Sequence, residues 1–320
     1  MQYRKLGNTG IDVSLSSFGT GGARQLGQKA GMSANEQDGL IRGAIDLGIN
    51  LFDSSAAYGD SEEILGRALT GVPRDSYVIA TKWPQENFAP DGFALPQEPG
   101  DLTEGVDSAL KRLKTDYIDV MQFHGLHVSY YDELVDRYAP AMAELKQSGK
   151  VRHWGFSEWA SQDAWHEAII HALTNHPDLW EVVMMKHNML SQSGNREALP
   201  LAQKTGTGVI VMAAVRTYIS NEERLHELFA GWKRDGVIPA DSVPDDGPLD
   251  WLVHDDVESV ANAAYKFAAS NPAVSTVLSG TSNPAHLQSN VAALENPSLP
   301  EADIERLVGL LGSIKAVIAE

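Results

Sequence analysis

The sequence has no cysteine among its 320 residues. This absence excludes disulfide bonds, thiolate nucleophiles, iron–sulfur clusters and zinc sites that use cysteine ligands. Long apolar runs are also lacking. No stretch approaches the ~18 residues of a membrane-spanning helix, and the first residues lack the apolar core of a signal peptide. We therefore expect no membrane span and a cytoplasmic location.

Positive charge is scarce. The chain carries 25 Lys and Arg residues against 43 Asp and Glu residues, which gives a formal net charge of −18. A surface this negative repels nucleic acids and anionic membranes, so we expect neither as a partner. No metal site is expected: His166 and His171 are five residues apart, roughly 140° around a helix, and cannot share one ion. We interpret their segment as a surface helix.

A glycine-rich phosphate-binding motif is absent. The segment from Gly19 to Arg24 approaches G-x-G-x-x-G but has arginine at the last glycine position, which argues against a doubly wound dinucleotide-binding sheet. The chain instead has eight alternating strand and helix patterns, which favour an α/β fold of the (β/α)8 TIM barrel type. The expected barrel strands are residues 14–19, 49–53, 77–82, 117–124, 151–157, 182–186, 208–213 and 274–278.

Further segments extend the predicted barrel. An N-terminal β-hairpin is expected with its turn at residues 8–10. Residues 216–258 are interpreted as an insertion, with eight acidic residues and no Lys or Arg from residue 235 onward. A C-terminal extra helix opens at Pro300, and we interpret residues 1–320 as one domain. The apolar stripe of this last helix comprises Ile304, Leu307, Leu311, Ile314 and Ile318.

Capping patterns and apolar periodicity predict where the other helices begin. Ser33 and Glu36 have the spacing of a capping box, and Glu63 is a plausible capping partner for a helix that starts near Asp60. Helices are also expected over residues 139–148 and 162–173.

Four polar side chains follow predicted strands at the end where barrel enzymes place their active sites. Asp53, Lys82 and His124 end three successive strands, and Tyr58 lies on the loop after the first. A buried lysine is costly unless it is paired, and Asp53 supplies the partner. The ammonium favours the phenolate form of Tyr58, which can then give a proton to a carbonyl oxygen or take one from an alcohol. Each residue alone also has a structural explanation, but the four together favour catalysis.

Five segments form a family pattern: FDSSAAYG at residues 52–59, IATK at 79–82, LKTDYIDVMQFH at 113–124, GKVRHWGFS at 149–157 and SGTSNPAHLQSN at 279–290. With these segments in this order, the sequence strongly resembles the aldo-keto reductase superfamily. The resemblance implies a (β/α)8 barrel that binds a nicotinamide cofactor, NADP or NAD, without a Rossmann domain. It implies that hydride passes between nicotinamide and a carbonyl or alcohol carbon. The implied catalytic tetrad is Asp53, Tyr58, Lys82 and His124.

The resemblance also implies a cofactor site, from which the chain departs at several positions. Glu158 stands where the family usually has asparagine, Met184 where it has glutamine, and Met212 where it has an aromatic residue. Gly280 and His286 replace basic residues that grip the 2′-phosphate of NADPH, so we expect relaxed or NADH-leaning cofactor choice. The implied cofactor-binding residues are Gly19, Thr20, Asp53, Ser157, Glu158, Met184, Met212, Gly280, Thr281, Ser282, His286 and Asn290.

We predict an NAD(P)(H)-dependent oxidoreductase that interconverts a small-molecule carbonyl (aldehyde, ketone or sugar) and an alcohol. Tyr58 and His124 are expected to contact the substrate, and Trp83 is a candidate apolar wall, with rim packing as an equal alternative. Tyr130, Tyr131 and the insertion are candidates to fold over the ligand. The lost amide partners of the nicotinamide keep a non-redox isomerase or lyase on a sugar-like carbonyl open. A barrel that only binds a ligand is disfavoured by the full tetrad.

Overall fold

The chain folds around a closed barrel of eight parallel strands, which confirms the predicted (β/α)8 architecture. The computed structural model describes residues 1–22, 24–84, 88–89, 92–93, 99–216 and 218–315. The strands are β1 (Tyr3–Lys5), β2 (Asp12–Ser14), β3 (Ser16–Gly19), β4 (Leu51–Asp53), β5 (Val78–Pro84), β6 (Phe88–Ala89), β7 (Gly92–Phe93), β8 (Ile118–Leu126), β9 (Val151–Glu158), β10 (Val182–Lys186), β11 (Gly208–Met212) and β12 (Val274–Ser279). The barrel comprises β3–β5 and β8–β12 in chain order, with β12 pairing to β3, while β6 and β7 form a separate antiparallel pair.

Helices follow most barrel strands, as the alternating sequence pattern predicts. They are α1 (Ala34–Asp46), α2 (Ser61–Ala68), α3 (Pro99–Leu113), α4 (Tyr131–Gln147), α5 (Glu167–Asn175), α6 (Ala198–Thr205), α7 (Glu222–Arg234), α8 (Val260–Ser270), α9 (Pro284–Ala293) and α10 (Glu301–Leu311). No helix within these described residues is long and apolar enough to cross a membrane.

The barrel strands alternate between two apolar layers, because successive side chains of a strand point to opposite faces. On β10, Val182 and Met184 pack with the residues inside the barrel. Val183 and Met185 instead pack in the layer between the barrel and the helices. The same alternation decides which side chains near the strand ends face the barrel mouth.

The predicted N-terminal hairpin is confirmed and closes one end of the barrel. Strands β1 and β2 pair antiparallel, with Tyr3 opposite Ser14. Leu6 and Val13 are fully buried and pack with the apolar side chains of the barrel interior. A Cβ atom at Gly208 would lie 2.8 Å from the Leu6 side chain, so glycine lets the hairpin seat against the start of β11. The hairpin therefore seals the end opposite the polar strand ends.

Capping of the first two helices follows the prediction only in part. The capping box of α1 is confirmed, since Ser33 N–H donates to the Glu36 carboxylate at 2.7 Å and its side chain accepts the Glu36 N–H. The predicted capping of α2 by Asp60 and Glu63 was wrong, because the Asp60 side chain makes no capping hydrogen bond. The neighbouring Glu62 is instead fully buried and accepts from Arg112 Nε at 2.6 Å, which ties α2 to α3.

The predicted starts of helices α4 and α5 were wrong. Helix α4 begins at Tyr131, eight residues before the predicted start, and it contains Pro140. Helix α5 begins at Glu167 rather than at residue 162. The carboxylate of Asp163 accepts the N–H groups of Glu167 at 2.8 Å and Ala168 at 2.9 Å, which caps the later start.

The insertion packs with the C-terminal helix. Phe229 of α7 and Leu252 join Leu307 and Leu311 of α10 in a second apolar cluster. The predicted stripe of the last helix is confirmed from Ile304 to Ile314, while Ile318 lies outside the described residues. The two tryptophans of the insertion also pack locally, Trp232 on Phe229 and Trp251 under the guanidinium of Arg306.

Candidate active site

Three adjacent barrel strands bring predicted catalytic residues together. Strands β4, β5 and β8 are neighbours in the sheet, and Asp53, Lys82 and His124 lie at or near their C-terminal ends. Asp53 and Lys82 are almost fully buried, whereas His124 is partly exposed. Tyr58 lies on the loop between β4 and α2 and is also partly exposed. The two charges therefore lie beneath a phenol and an imidazole at the barrel mouth.

The Asp53 and Lys82 side chains form a tight ion pair. The ammonium donates to Asp53 Oδ1 at 2.7 Å, to Asp53 Oδ2 at 2.6 Å and to the backbone oxygen of Ser54 at 2.8 Å. Burial alone lowers the pKa of Lys82, but the charge of Asp53 and the hydrogen-bonded Tyr58 raise it above its ordinary value. Burial raises the pKa of Asp53, and the charge of Lys82 opposes that rise. Lys82 is therefore a cation at neutral pH.

The Tyr58 side chain lies next to both the ion pair and the imidazole. Its hydroxyl oxygen is 3.4 Å from His124 Nε2, and the Lys82 ammonium is 5.0 Å from the centre of its ring. The phenol and imidazole rings meet edge to face with centroids 5.5 Å apart. A Cβ atom at Gly21 would come within 2.6 Å of a Tyr58 ring carbon, so the ring can occupy this place only beside glycine.

His124 is a neutral imidazole at the pH where the protein would work. Burial, reinforced by the charge of Lys82, lowers the pKa of His124 to about 3. Its Nδ1 lies 3.1 Å from Ser55 Oγ, and its Nε2 faces Tyr58. A neutral ring can orient an oxygen by hydrogen bonding without competing with the phenol for the transferred proton. The arrangement can therefore bind an oxygen and exchange a proton with it.

The predicted cofactor residues after β3 and β12 lie side by side. Because β12 pairs with β3, Gly280 meets Gly19, and a Cβ atom on Gly280 would lie 3.2 Å from the backbone oxygen of Gly19. Thr20 is fully buried, and its Oγ1 donates to Ser54 Oγ at 3.0 Å. Two glycines at this edge leave the backbone open to close approach by a ligand.

The predicted adenine-end residues surround the start of α9. Thr281 and Ser282 precede the helix, and the side chain of Asn283 caps it by accepting the Ala285 N–H at 2.9 Å. Nη1 of Arg24, from the loop after β3, lies 3.5 Å from Ser282 Oγ. Backbone N–H groups at a helix start, hydroxyls and a guanidinium together attract anionic groups such as phosphates.

Three other predicted cofactor residues have different environments. His286 is exposed on the first turn of α9. Asn290 Nδ2 donates to Ser279 Oγ at 2.8 Å, which holds α9 to the end of β12. Ser157, at the end of β9, accepts the Gly125 N–H at 2.9 Å through its hydroxyl oxygen.

A family model described as the Aldo/keto reductase family matches residues 17–311. The chain belongs to this family. L-galactose dehydrogenase of Arabidopsis thaliana is 29% identical over 98% of this chain and 96% of its own length. A putative voltage-gated potassium channel subunit beta of Schizosaccharomyces pombe is 30% identical over 92% of this chain and 88% of its own length. An aldo-keto reductase of Bacillus halodurans in its holo form has the same fold, with a TM-score of 0.73 over 100% of this chain and 99% of that chain at 24% identity.

As an aldo/keto reductase, the chain is an oxidoreductase of carbonyl and alcohol groups.

Glu158 stands where the family usually has asparagine, and both of its carboxylate oxygens have partners inside the protein. Oε2 is 2.6 Å from His166 Nδ1, and Oε1 accepts the Lys186 N–H at 2.8 Å. His166 Nε2 is in turn 2.9 Å from Ser193 Oγ. All four side chains are buried, so the predicted surface position of His166 was wrong.

The two methionines at the other departures from the aldo/keto reductase pattern are apolar and well packed. Met184 is almost fully buried in the cluster inside the barrel. Met212, at the end of β11, is partly buried and packs against the same cluster. Neither side chain offers a hydrogen-bonding group to a carboxamide beyond the weak acceptor of a thioether.

Trp83 is placed away from the site. It directly follows Lys82 on β5, so its side chain points to the opposite face of the sheet. Its ring packs against Phe123 at 5.7 Å and Tyr138 at 5.3 Å between centroids. A Cβ atom on Gly105 of α3 would lie 2.4 Å from the indole. These contacts favour the packing alternative over a wall for the substrate.

The tyrosines after β8 are also core residues. The hydroxyl of Tyr131 accepts from Trp180 Nε1 at 2.7 Å, and the residue is fully buried. The hydroxyl of Tyr130 donates to the backbone oxygen of Gly125 at 2.8 Å. The expectation that these two rings fold over a ligand was wrong, because both point into the protein.

Two residues next to the tetrad were missed by the sequence reasoning. Gln122 donates through Nε2 to Asp53 Oδ1 at 3.3 Å. Gln122 precedes His124 by two residues on one strand, so strand alternation would have placed both on the same face. Ser55, which contacts His124, lies on a loop where no such alternation applies. Among the residues that the structure describes, no three His, Asp or Glu side chains are grouped to hold a metal ion.

Proposed function

We propose that the chain catalyses the NAD(P)(H)-dependent interconversion of a small-molecule carbonyl compound and its alcohol, with Tyr58 as the proton donor or acceptor. The observation that carries this proposal is the place of the Tyr58 hydroxyl beside the Lys82 cation and 3.4 Å from His124 Nε2. The ion pair with Asp53 keeps the cation in place below the phenol. The substrate oxygen would bind between Tyr58 and His124.

The roles of the residues follow from their charges. In reduction, His124 orients the carbonyl oxygen and Tyr58 donates its proton to that oxygen as negative charge develops on it. Lys82 stabilises the phenolate that Tyr58 leaves behind, because a cation favours the charged form of a nearby phenol. In the reverse direction the same phenolate accepts the proton of the alcohol. The bound cofactor supplies or accepts the hydride.

The cofactor assignment is supported by the cradle of glycines and the anion-attracting start of α9. The protein backbone at Gly19, Thr20 and Gly280 would contact the cofactor. Thr281 and Ser282 would hold its phosphates. At the carboxamide end the fit is poorer, because Glu158 already binds His166 and Lys186. Ser157, Met184 and Met212 remain the candidates there, with Asn290 supporting the loop after β12.

Cofactor choice is proposed to be relaxed or NADH-leaning, because Gly280 and the exposed His286 offer no fixed cation to a 2′-phosphate. Fluorescence titrations of the purified protein with NADH and NADPH measure both dissociation constants. Values within about tenfold of each other, or tighter NADH, are expected. More than about tenfold tighter NADPH contradicts the choice, and no binding of either would favour the non-redox isomerase or lyase.

The catalytic assignment is tested by Tyr58→Phe, which removes one hydroxyl and keeps the ring. Turnover with a panel of carbonyl and alcohol substrates should fall by about 10²- to 10⁴-fold, because the proton donor is lost. Cofactor binding should be retained. Tyr3→Phe is the matched control, since Tyr3 lies on the hairpin at the opposite end of the barrel, where its hydroxyl donates to the backbone oxygen of Gly48. Turnover by Tyr58→Phe at the rate of the control would show that the proton comes from another group.

A further inference from the structure

The two ring nitrogens of His124 face different neighbours. Nδ1 lies 3.1 Å from Ser55 Oγ, and Nε2 lies 3.4 Å from the Tyr58 hydroxyl. A neutral imidazole carries its proton on one nitrogen only, so one neighbour meets a donor and the other an acceptor. The position of this proton decides whether the ring can donate a hydrogen bond to a substrate oxygen.

The surroundings of Ser55 determine the direction of the first contact. Its Oγ accepts the N–H of Ala57 at 3.1 Å, and the residue is fully buried. Within the described part of the chain, His124 Nδ1 is the acceptor within reach of the hydroxyl proton. A proton on Nδ1 would give Ser55 a second incoming hydrogen bond and leave its own buried O–H without an acceptor. Such an unsatisfied group costs about 1–3 kcal/mol.

A proton on Nδ1 would gain one contact in return, because Nε2 could then accept from the Tyr58 hydroxyl. That contact is longer than the one to Ser55, at 3.4 Å against 3.1 Å. Tyr58 is also partly exposed, so its hydroxyl proton can find water when Nε2 does not accept it. A long contact to a partly exposed group does not offset an unpaired hydroxyl in the interior.

We propose that Ser55 is a positioning residue that donates to Nδ1 of His124 and so holds the imidazole in the tautomer with its proton on Nε2. Ser55 touches neither substrate nor cofactor in this role. It acts through His124, which then presents a donor at the barrel mouth and leaves the Tyr58 proton for transfer.

The consequence for turnover rests on the proposed function, but the tautomer itself does not. With Nε2 protonated, the substrate oxygen meets two donors, the imidazole N–H and the phenol O–H. With Nδ1 protonated, Nε2 would accept from Tyr58 and hold the proton that the reaction needs. Loss of the Ser55 hydroxyl should therefore lower kcat by about tenfold, the effect of one hydrogen bond in the transition state.

The tautomer can be read directly by ¹⁵N NMR of the full-length protein labelled at histidine, without any turnover. The chain has 10 histidines, so a His124→Gln sample assigns the His124 signals by their disappearance. In the unaltered protein, Nδ1 should give the signal of an unprotonated nitrogen and Nε2 that of a protonated one. Ser55→Ala should shift both signals toward a mixture, and Ser55→Thr, which keeps a hydroxyl, should restore the original pattern.

Ser54→Ala is the matched control for the spectrum. It removes the neighbouring buried hydroxyl, which contacts Thr20 rather than His124, and should leave the His124 signals unchanged. A protonated Nδ1 in the unaltered protein would overturn the proposal even if neither Ser55 variant folds. Unchanged His124 signals in folded Ser55→Ala would overturn it as well. If the spectra agree but no substrate turns over, the positioning role stands and the proposed function fails.

Discussion

Two buried lysine–carboxylate pairs lie at strand ends on the same rim of the barrel, and they end in different surroundings. The ammonium of Lys82 donates to both oxygens of Asp53 at 2.7 and 2.6 Å, and it lies under a partly exposed phenol. The ammonium of Lys186 is 3.8 Å from Glu158 and donates instead to the backbone oxygens of Ala160 and Asp163. The first pair places a cation beside the Tyr58 side chain at the barrel mouth.

The second pair closes on itself. Glu158 divides its oxygens between the His166 ring and the Lys186 backbone, and His166 passes the network on to Ser193. Each of these side chains is buried. The network therefore fixes the loop after β9 to the end of β10, and its buried groups bind one another. The comparison teaches that burial and pairing do not distinguish Lys82 from Lys186; contact with an accessible acid or base does.

The largest expected effect separates the two pairs by activity. Lys82→Met should lower turnover by about 10²- to 10⁴-fold, because the phenolate of Tyr58 loses its neighbouring cation. The rate is measured per folded molecule, with the folded fraction taken from circular dichroism. Lys186→Met is the matched variant, since it removes the same charge from the same rim. Equal losses of turnover in the two variants would contradict the distinction.

The next effect is on stability, and we expect it in both lysine variants. Lys186→Met leaves Glu158 and two backbone oxygens without their cation, which should cost about 3–5 kcal/mol of the free energy of unfolding. Urea unfolding of the unaltered protein and both lysine variants measures this cost. Folded Lys186→Met should retain most of its turnover. A cost below about 1 kcal/mol would mean that water replaces the ammonium at these oxygens.

The smallest effect concerns acid stability beside the closed network. His187 is fully buried, stacks on Phe267 at 5.5 Å, and its Nδ1 has no partner among the described residues. Burial, reinforced by the charge of His166, lowers the pKa of His187 to about 3. As pH falls, His187 therefore binds a proton in the unfolded chain at a higher pH than in the folded chain. The free energy of unfolding consequently decreases as pH falls from about 6.5 toward about 3.

Replacing His187 with an aromatic ring that does not titrate tests the sign of this pH dependence of stability. His187→Phe should lose about 2 kcal/mol less of its free energy of unfolding between pH 7.5 and pH 5 than the unaltered protein. Urea unfolding at both pH values gives the difference. Because other groups titrate identically in both proteins, equal losses would place the pKa of His187 near its ordinary value.

The site could be predicted where strand order alone decides proximity. Asp53, Lys82 and His124 lie at or near the ends of consecutive barrel strands, which are neighbours in a parallel barrel, so local patterns were enough. Trp83 could have been placed too, because it follows Lys82 and must point to the other face. The pattern contained this information, although the substrate wall and rim packing stood as equal alternatives in the prediction.

The closed network could not be predicted, because its members come together only in three dimensions. Glu158, His166 and Lys186 lie on a strand end, a loop and the next strand, and nothing in their spacing indicates burial. His166 has a left-handed backbone (φ 60°) just before α5, whereas the sequence placed it inside a surface helix. Helix α4 contains Pro140 within it, although proline is typical of the first turn, so a start eight residues earlier could not be predicted from this position.

Gly21 has a consequence for how this enzyme could be redesigned or inactivated. The phenol ring occupies the space that any side chain at that position would need, at 2.6 Å from a Cβ atom. A single added methyl group would push the Tyr58 ring off its line with the imidazole while leaving every charged residue untouched. A residue without a functional group of its own thus limits where the Tyr58 ring can lie.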